Sequence, residues 1–349
     1  MTNSTAAFTT TSQTADSTTF SPQKHRGTLD RVQTAYDLDL LAHARVVLVG
    51  TGGARGYAED LARAGLGEIA LIDPDTSSAT NVGTQAAYLD EIGLPKVAAL
   101  ETQLRRINPD MTIRTAVCRL EDIDNPAELL VNAWGGTAPR ATVLVLATDN
   151  FYAHAYGNQL ALHYGLPAVA AALYARGEGG EIAYSHPDLT YACLRCVQEA
   201  RYTAYAEGYR NTTTSHGSPI FAASRLNSLM GMVTMALLHH GSGHPRWGTL
   251  LGRMGQRNLL LLKLWPDFDL PGIAQTEANT STSGLFFDHT VWRPQLPDSP
   301  ASNGYPACPD CGGTGNLRAL TGRAIGPRLQ PAPSPATRLE ATVYCHDPE

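Results

Sequence analysis

Residues 46–56 read VVLVGTGGARG, a run of aliphatic side chains that ends abruptly in glycines. Four apolar residues followed by Gly50 describe a buried strand that empties into a tight loop. Gly50 and Gly52 carry no Cβ, so the backbone can turn sharply and come close to a phosphate. A helix that begins near Arg55 would point its positive end at the same place. In the fingerprint G-x-G-x-x-G the third glycine falls at position 55, and this chain has Arg55 there.

Outward from that loop, short apolar runs alternate with amphipathic stretches: RVVLVG, YAEDLARAGLG, EIALIDPD, KVAALETQLRRIN, TVLVLATDN and LPAVAAALY. Strands alternating with helices of about ten residues imply βαβ units and a parallel sheet covered on both faces. The spacing therefore predicts an α/β fold over roughly residues 40–190, with a doubly wound, mostly parallel, Rossmann-like sheet. Residues 1–25 are rich in Ser and Thr and poor in large apolar side chains, and read as a flexible tail. The stretch GPRLQPAPSPATRLE is Pro-rich, so residues 323–349 read as a second tail. A central domain over 26–322 lies between them.

The 349 residues suffice for a substantial core. A net charge of -6 supplies no bulk attraction to nucleic acid or an anionic membrane. No run reaches the roughly 18 consecutive apolar residues of a membrane span. The first twenty residues have neither the basic nor the apolar region of a secretory signal, and a cytoplasmic location is expected.

Four of the six cysteines form two pairs, Cys193-Leu-Arg-Cys196 and Cys308-Pro-Asp-Cys311. In a chain read as unexported, that pattern indicates metal ligands rather than disulfides. Tetrahedral Zn²⁺ takes four thiolates, and a two-residue gap lets both sulfurs of a pair reach one ion. A structural zinc shared by the two pairs is expected, bound in a C-terminal extension of the sheet domain.

By itself the glycine loop fits NAD, FAD, a methyl donor or ATP. Asp73, closing the strand in IALIDPD, stands where an acid would accept hydrogen bonds from a ribose hydroxyl. Downstream come Asn81, Gln85, Lys96 at a helix start and Asp149 at a strand end. Polar residues converging on the carboxyl ends of a parallel sheet suit phosphate and a metal ion better than a nicotinamide ring, which needs apolar walls.

From about residue 30 to 315, in the right order, the chain resembles the ThiF/MoeB family of ATP-dependent activators of ubiquitin-like and sulfur-carrier proteins. The resemblance implies a phosphate loop at Gly50, Gly52 and Gly53, and a ribose acid at Asp73. It further implies nucleotide contacts from Asn81 and Gln85, a phosphate lysine at Lys96, an Mg²⁺ aspartate at Asp149, a helix asparagine at Asn158 and a structural zinc on the four paired cysteines. The implied activity is adenylation of a partner's C-terminal glycine by ATP with release of pyrophosphate. The implied partners are a ubiquitin-like or sulfur-carrier protein and, in a conjugation system, a conjugating enzyme; relatives are commonly homodimers. A catalytically silent scaffold that only binds such a partner is the alternative.

Two family arginines are replaced here, by Thr84 and His154. Arg55, inside the loop, could return a guanidinium to the phosphates; otherwise it faces solvent or pairs with Glu59 or Asp60. The loop that in many relatives carries a nucleophilic cysteine reads NTTTSHGSP and has none. Cys118 reads as a core residue, while Cys345, beside His346, is the remaining candidate thiol. His239, His240 and His244 read as helix-end caps, Met230, Met232 and Met235 as a helix interface, and Tyr191, Tyr202, Tyr205 and Tyr209 as one side of an amphipathic helix or a partner surface.

Overall fold

The computed structural model describes residues 26–209, 217–263, 289–294 and 307–329. Their strands are β1 (Ala44–Val49), β2 (Glu68–Ile72), β3 (Thr112–Ala116), β4 (Ala141–Leu146), β5 (Ala168–Leu173), β6 (Gly179–Ser185), β7 (Arg257–Lys263) and β8 (His289–Pro294). They form one sheet in the order β3-β2-β1-β4-β5-β6-β7-β8. The pairs from β3 to β5 are parallel. Those from β5 to β8 are antiparallel. Strand order reverses between β1 and β4, so their carboxyl ends flank the crevice where doubly wound folds bind ligands.

The helices are α1 (Arg26–Leu29), α2 (Leu38–Ala42), α3 (Arg55–Arg63), α4 (Lys96–Ile107), α5 (Ala127–Leu130), α6 (Phe151–Tyr164), α7 (Leu194–Val197), α8 (Glu199–Ala206), α9 (Ile220–Leu238) and α10 (Trp247–Met254). Side chains alternate across a strand, and both sets are buried. Val46, Leu48, Val143 and Val145 join a core with α3, α4, α9 and α10. Val47, Val49, Leu144 and Leu146 join another with α5 and α6. This two-sided burial is why the strands read as continuous apolar runs rather than alternating ones.

The antiparallel strands β7 and β8 extend the sheet beyond the predicted 40–190 boundary. Residues 258–263, NLLLLK, are an apolar run whose periodicity separates strand from helix poorly. Helix α9 is apolar and long enough to cross a membrane by length and composition, yet just over half of it is buried inside the fold. It packs on α3, α10 and β5 as a core helix. Met230 and Met235 belong to that core, whereas Met232 is half exposed in a groove beside Tyr36 and Trp247.

Candidate functional site

Gly50 closes β1 with φ +87°, and a Cβ there would stand 2.4 Å from the Ala147 carbonyl oxygen at the end of β4. Only glycine lets the two carboxyl ends approach so closely. The next residue, Thr51, donates both its backbone N–H (2.7 Å) and its hydroxyl (3.0 Å) to Oδ2 of buried Asp73. Oδ1 of Asp73 accepts from the Asp75 backbone N–H at 3.0 Å. The expected ribose acid is thus locked in place against the glycine loop, at the end of β2.

Gly52 faces Gln85, whose Oε1 would lie 2.4 Å from a Cβ on Gly52. Gly53 offers its carbonyl to Nδ2 of buried Asn227 at 2.8 Å. Asn227 holds the loop from α9 across 174 positions of sequence, a separation at which no local motif reports a contact. Gly52, Arg55, Gln85 and Lys96 line one cleft with Thr51 and Ser77. Lys96 starts α4 with its ammonium 2.9 Å from Oδ2 of exposed Asp75. Asn81 uses its Oδ1 to accept the Ser78 N–H at 2.8 Å, closing a 3-10 turn over Ala79–Asn81.

Asp149 lies exposed just past β4. Its neighbours fix the turn: the Thr148 hydroxyl accepts from the Asn150 N–H (3.2 Å), and Asn150 Oδ1 caps α6 at the Tyr152 N–H (2.9 Å). Buried His154, where the resemblance implies arginine, lies with Nε2 2.8 Å from the Thr148 carbonyl oxygen. Burial, then the charge of Arg201, pulls its pKa down to about 4. The imidazole is therefore neutral and donates from Nε2, supplying no cation to the cleft. Because the folded-state pKa lies below the usual value of about 6.5, the stability this buried neutral ring confers is present above that value and is lost as pH falls toward 4. Unfolding free energy measured from pH 7.5 to 5 should fall by on the order of 1–2 kcal/mol from this ring, and His154→Gln should flatten that part of the curve.

Two of the expected site residues are engaged elsewhere in this structure. Arg55 is 5 % exposed, but its guanidinium makes a two-pronged pair with Glu91, at 2.6 and 2.5 Å. Its Nε lies 3.6 Å from Glu59, so it is neither solvent-facing nor a free phosphate cation. The second is Asn158. It is fully buried on the eighth residue of α6 with its amide engaged to Leu194 and Asp310, and it sits at the cysteine cluster rather than the cleft. An eighth helical residue lies about 10 Å along the axis from the helix start near Asp149.

The four cysteine sulfurs lie within 4.8 Å of one another. Three of the separations are 3.8 Å (Cys193–Cys196), 3.8 Å (Cys193–Cys308) and 3.5 Å (Cys196–Cys311). A tetrahedron of Zn–S bonds near 2.3 Å has edges of about 3.8 Å, so the sulfurs fit a closed structural zinc site. Cys118 is half-buried; burial and the charges of Asp122 and Glu121 push its thiol up, away from a reactive thiolate. Cys345, His346 and residues 210–216 fall outside the described residues. His239 matches its expected role at the end of α9: Nδ1 meets the Met235 carbonyl oxygen at 2.8 Å and Nε2 accepts the Asp37 N–H at 3.0 Å. Tyr202 and Tyr205 of α8 pack on Phe151, leaving Tyr209 half exposed.

The profile of the ThiF family matches residues 28–252. Molybdopterin-synthase adenylyltransferase of Salmonella typhimurium is 30% identical over 217 residues, which cover 61% of this chain and 80% of that protein. The SAMP-activating enzyme E1 of Haloferax volcanii is 29% identical over 160 residues, 45% of this chain and only 54% of the relative's length. Among solved structures, the microcin C7 biosynthetic enzyme MccB in complex with N-formylated MccA matches with a TM-score of 0.51 at 16% identity, covering 82% of this chain and 74% of that one. At that identity the likeness concerns the fold.

Proposed function

The chain belongs to the ThiF family, and from that premise we propose that it is an ATP-dependent adenylyltransferase acting on the C-terminal glycine of a ubiquitin-like or sulfur-carrier protein. The observation that carries this is the geometry at the strand-order reversal, where Gly52, Gln85 and Lys96 line one cleft, Asp73 is bonded to Thr51 of the same loop, and the exposed carboxylate of Asp149 follows β4, the strand paired with β1. The names of the two relatives, one an adenylyltransferase and one an activating enzyme, support the same chemistry.

In this reaction the partner's terminal carboxylate attacks the α-phosphate of ATP, forming the acyl-adenylate C–O–P linkage as pyrophosphate leaves. The attacking carboxylate is already ionised near pH 7, so no general base is required. The protein's work is positioning and offsetting charge. Asp73 orients the ribose, the loop from Gly50 to Gly53 faces the phosphates, and Lys96 meets their negative charge. Asp149 is the carboxylate suited to Mg²⁺, which is commonly held by one or two carboxylates plus phosphate oxygens. Bound there, the ion would neutralise charge on those oxygens.

The same proposal takes residues 26–322 as the adenylation domain with its zinc lobe, flanked by two tails, in a cytoplasmic homodimer. With Cys118 unsuited to form a thioester, the reaction ends at the adenylate unless a residue outside the described ones takes over. The partner belongs to a bacterial conjugation system, with its own conjugating enzyme, or to cofactor biosynthesis. A silent scaffold is favoured by one observation: the cations at the cleft, Arg55 and Lys96, are both already paired with acids. ATP–pyrophosphate exchange with purified full-length protein and candidate partners separates the two. Exchange that requires the partner's terminal glycine is expected; ATP binding without any exchange across the panel, or no ATP binding at all, favours the scaffold.

A further inference from the structure

We propose that Asn158 joins the two halves of the cysteine cluster and sets its affinity for zinc, rather than contacting the nucleotide. Its Oδ1 accepts the backbone N–H of Leu194 at 3.0 Å, which fixes the turn that follows Cys193. Its Nδ2 donates at 2.7 Å to Oδ2 of Asp310, which lies between Cys308 and Cys311. The same nitrogen stands 3.7 Å from Cys193 Sγ. One fully buried side chain thus grips both Cys-x-x-Cys turns, and nothing else among the described residues requires an amide there.

Two physical effects follow. Cys193 and Cys308 are 115 positions apart, and closing a long loop costs chain entropy that grows with its length. Contacts that hold the two turns together in advance remove that cost from metal binding. Four thiolates around a divalent ion also leave a net negative charge, which an N–H aimed at sulfur offsets. A neutral carboxamide does this without competing as a ligand. Arg195 completes the arrangement: its Nη1 donates at 3.0 Å to the other oxygen of Asp310, and its guanidinium lies 4.6 Å from the Tyr202 ring centre. Such outer groups commonly change metal affinity by about 10–100-fold when removed.

The test is zinc affinity of the full-length protein by competition with a chromophoric chelator, with ATP affinity read on the same zinc-saturated samples. Asn158→Ala is expected to bind zinc about 10–100-fold more weakly. Asn158→Asp keeps the acceptor for Leu194 but loses the donor and places a second carboxylate beside Asp310, so it should also be weakened. If either variant fails to fold, Arg195→Met, which removes the outer donor to Asp310 and the guanidinium over the Tyr202 ring, should still weaken zinc binding several-fold. Wild-type zinc affinity in these variants, especially with ATP binding lost, would return Asn158 to the nucleotide and overturn the proposal. So would a wild-type protein that takes up no zinc. Neither readout depends on the adenylation reaction, so its failure and failure of this proposal are separable.

Discussion

Asp149→Ala is expected to lower partner-dependent ATP–pyrophosphate exchange by a factor on the order of 10²–10³, with unfolding free energy within about 0.5 kcal/mol of wild type. The carboxylate is exposed and stands just past β4, so little packing is lost with it. The turn around it stays in place, because Thr148, Asn150 and His154 hold one another independently of Asp149. What is lost is the anionic ligand that would hold Mg²⁺ against the phosphates. Asp149→Asn, an oxygen donor without the charge, should fall between the two, and raised Mg²⁺ should restore it in part. Exchange within a few-fold of wild type in the alanine variant would remove Asp149 from the reaction and take the metal assignment with it.

The strands around that residue were legible because both faces of the sheet are covered, which writes each parallel strand as an unbroken apolar run. Their polar ends were legible too: Asp73 and Asp149 close strands, and Lys96 starts a helix, positions fixed by local pattern. The remainder depended on contacts between distant segments. Asn227 reaches Gly53 from α9 and Glu91 reaches Arg55 from a 3-10 turn, and neither pairing leaves a mark in spacing. Asn158 was equally illegible: helix register carries it about two turns from the start of α6, where its amide bonds Leu194 and Asp310 beside the cysteines. The paired Cys-x-x-Cys motifs, by contrast, were readable across a long separation because zinc ligation demands the same short spacing on both sides.

Arg55→Ala should destabilise the fold by about 3–5 kcal/mol, the usual cost of removing one partner from a buried ion pair. The side chains of Arg55 and Glu91 are each 6% exposed. Burial pushes the Glu91 carboxyl up, but hydrogen bonds from Arg55 and from the Tyr88 N–H outweigh it and hold the acid below its ordinary value. Without the guanidinium that carboxylate is left with the Tyr88 N–H at 2.9 Å and Gln103 at 3.4 Å. The turn Leu89–Glu91 is then no longer tied to α3, and Lys96 follows it by only five residues. Exchange should therefore fall along with stability. Glu91→Gln placed in the Arg55→Ala background removes the stranded charge and should recover much of the stability, because a neutral amide can share the remaining donors. The double variant decides what an arginine does where a third glycine would stand. If exchange returns with stability, Arg55 acts by fastening the wall of the cleft. If the protein is restored but exchange stays depressed by a factor on the order of 10²–10³, the guanidinium leaves Glu91 during the reaction and meets the phosphate itself.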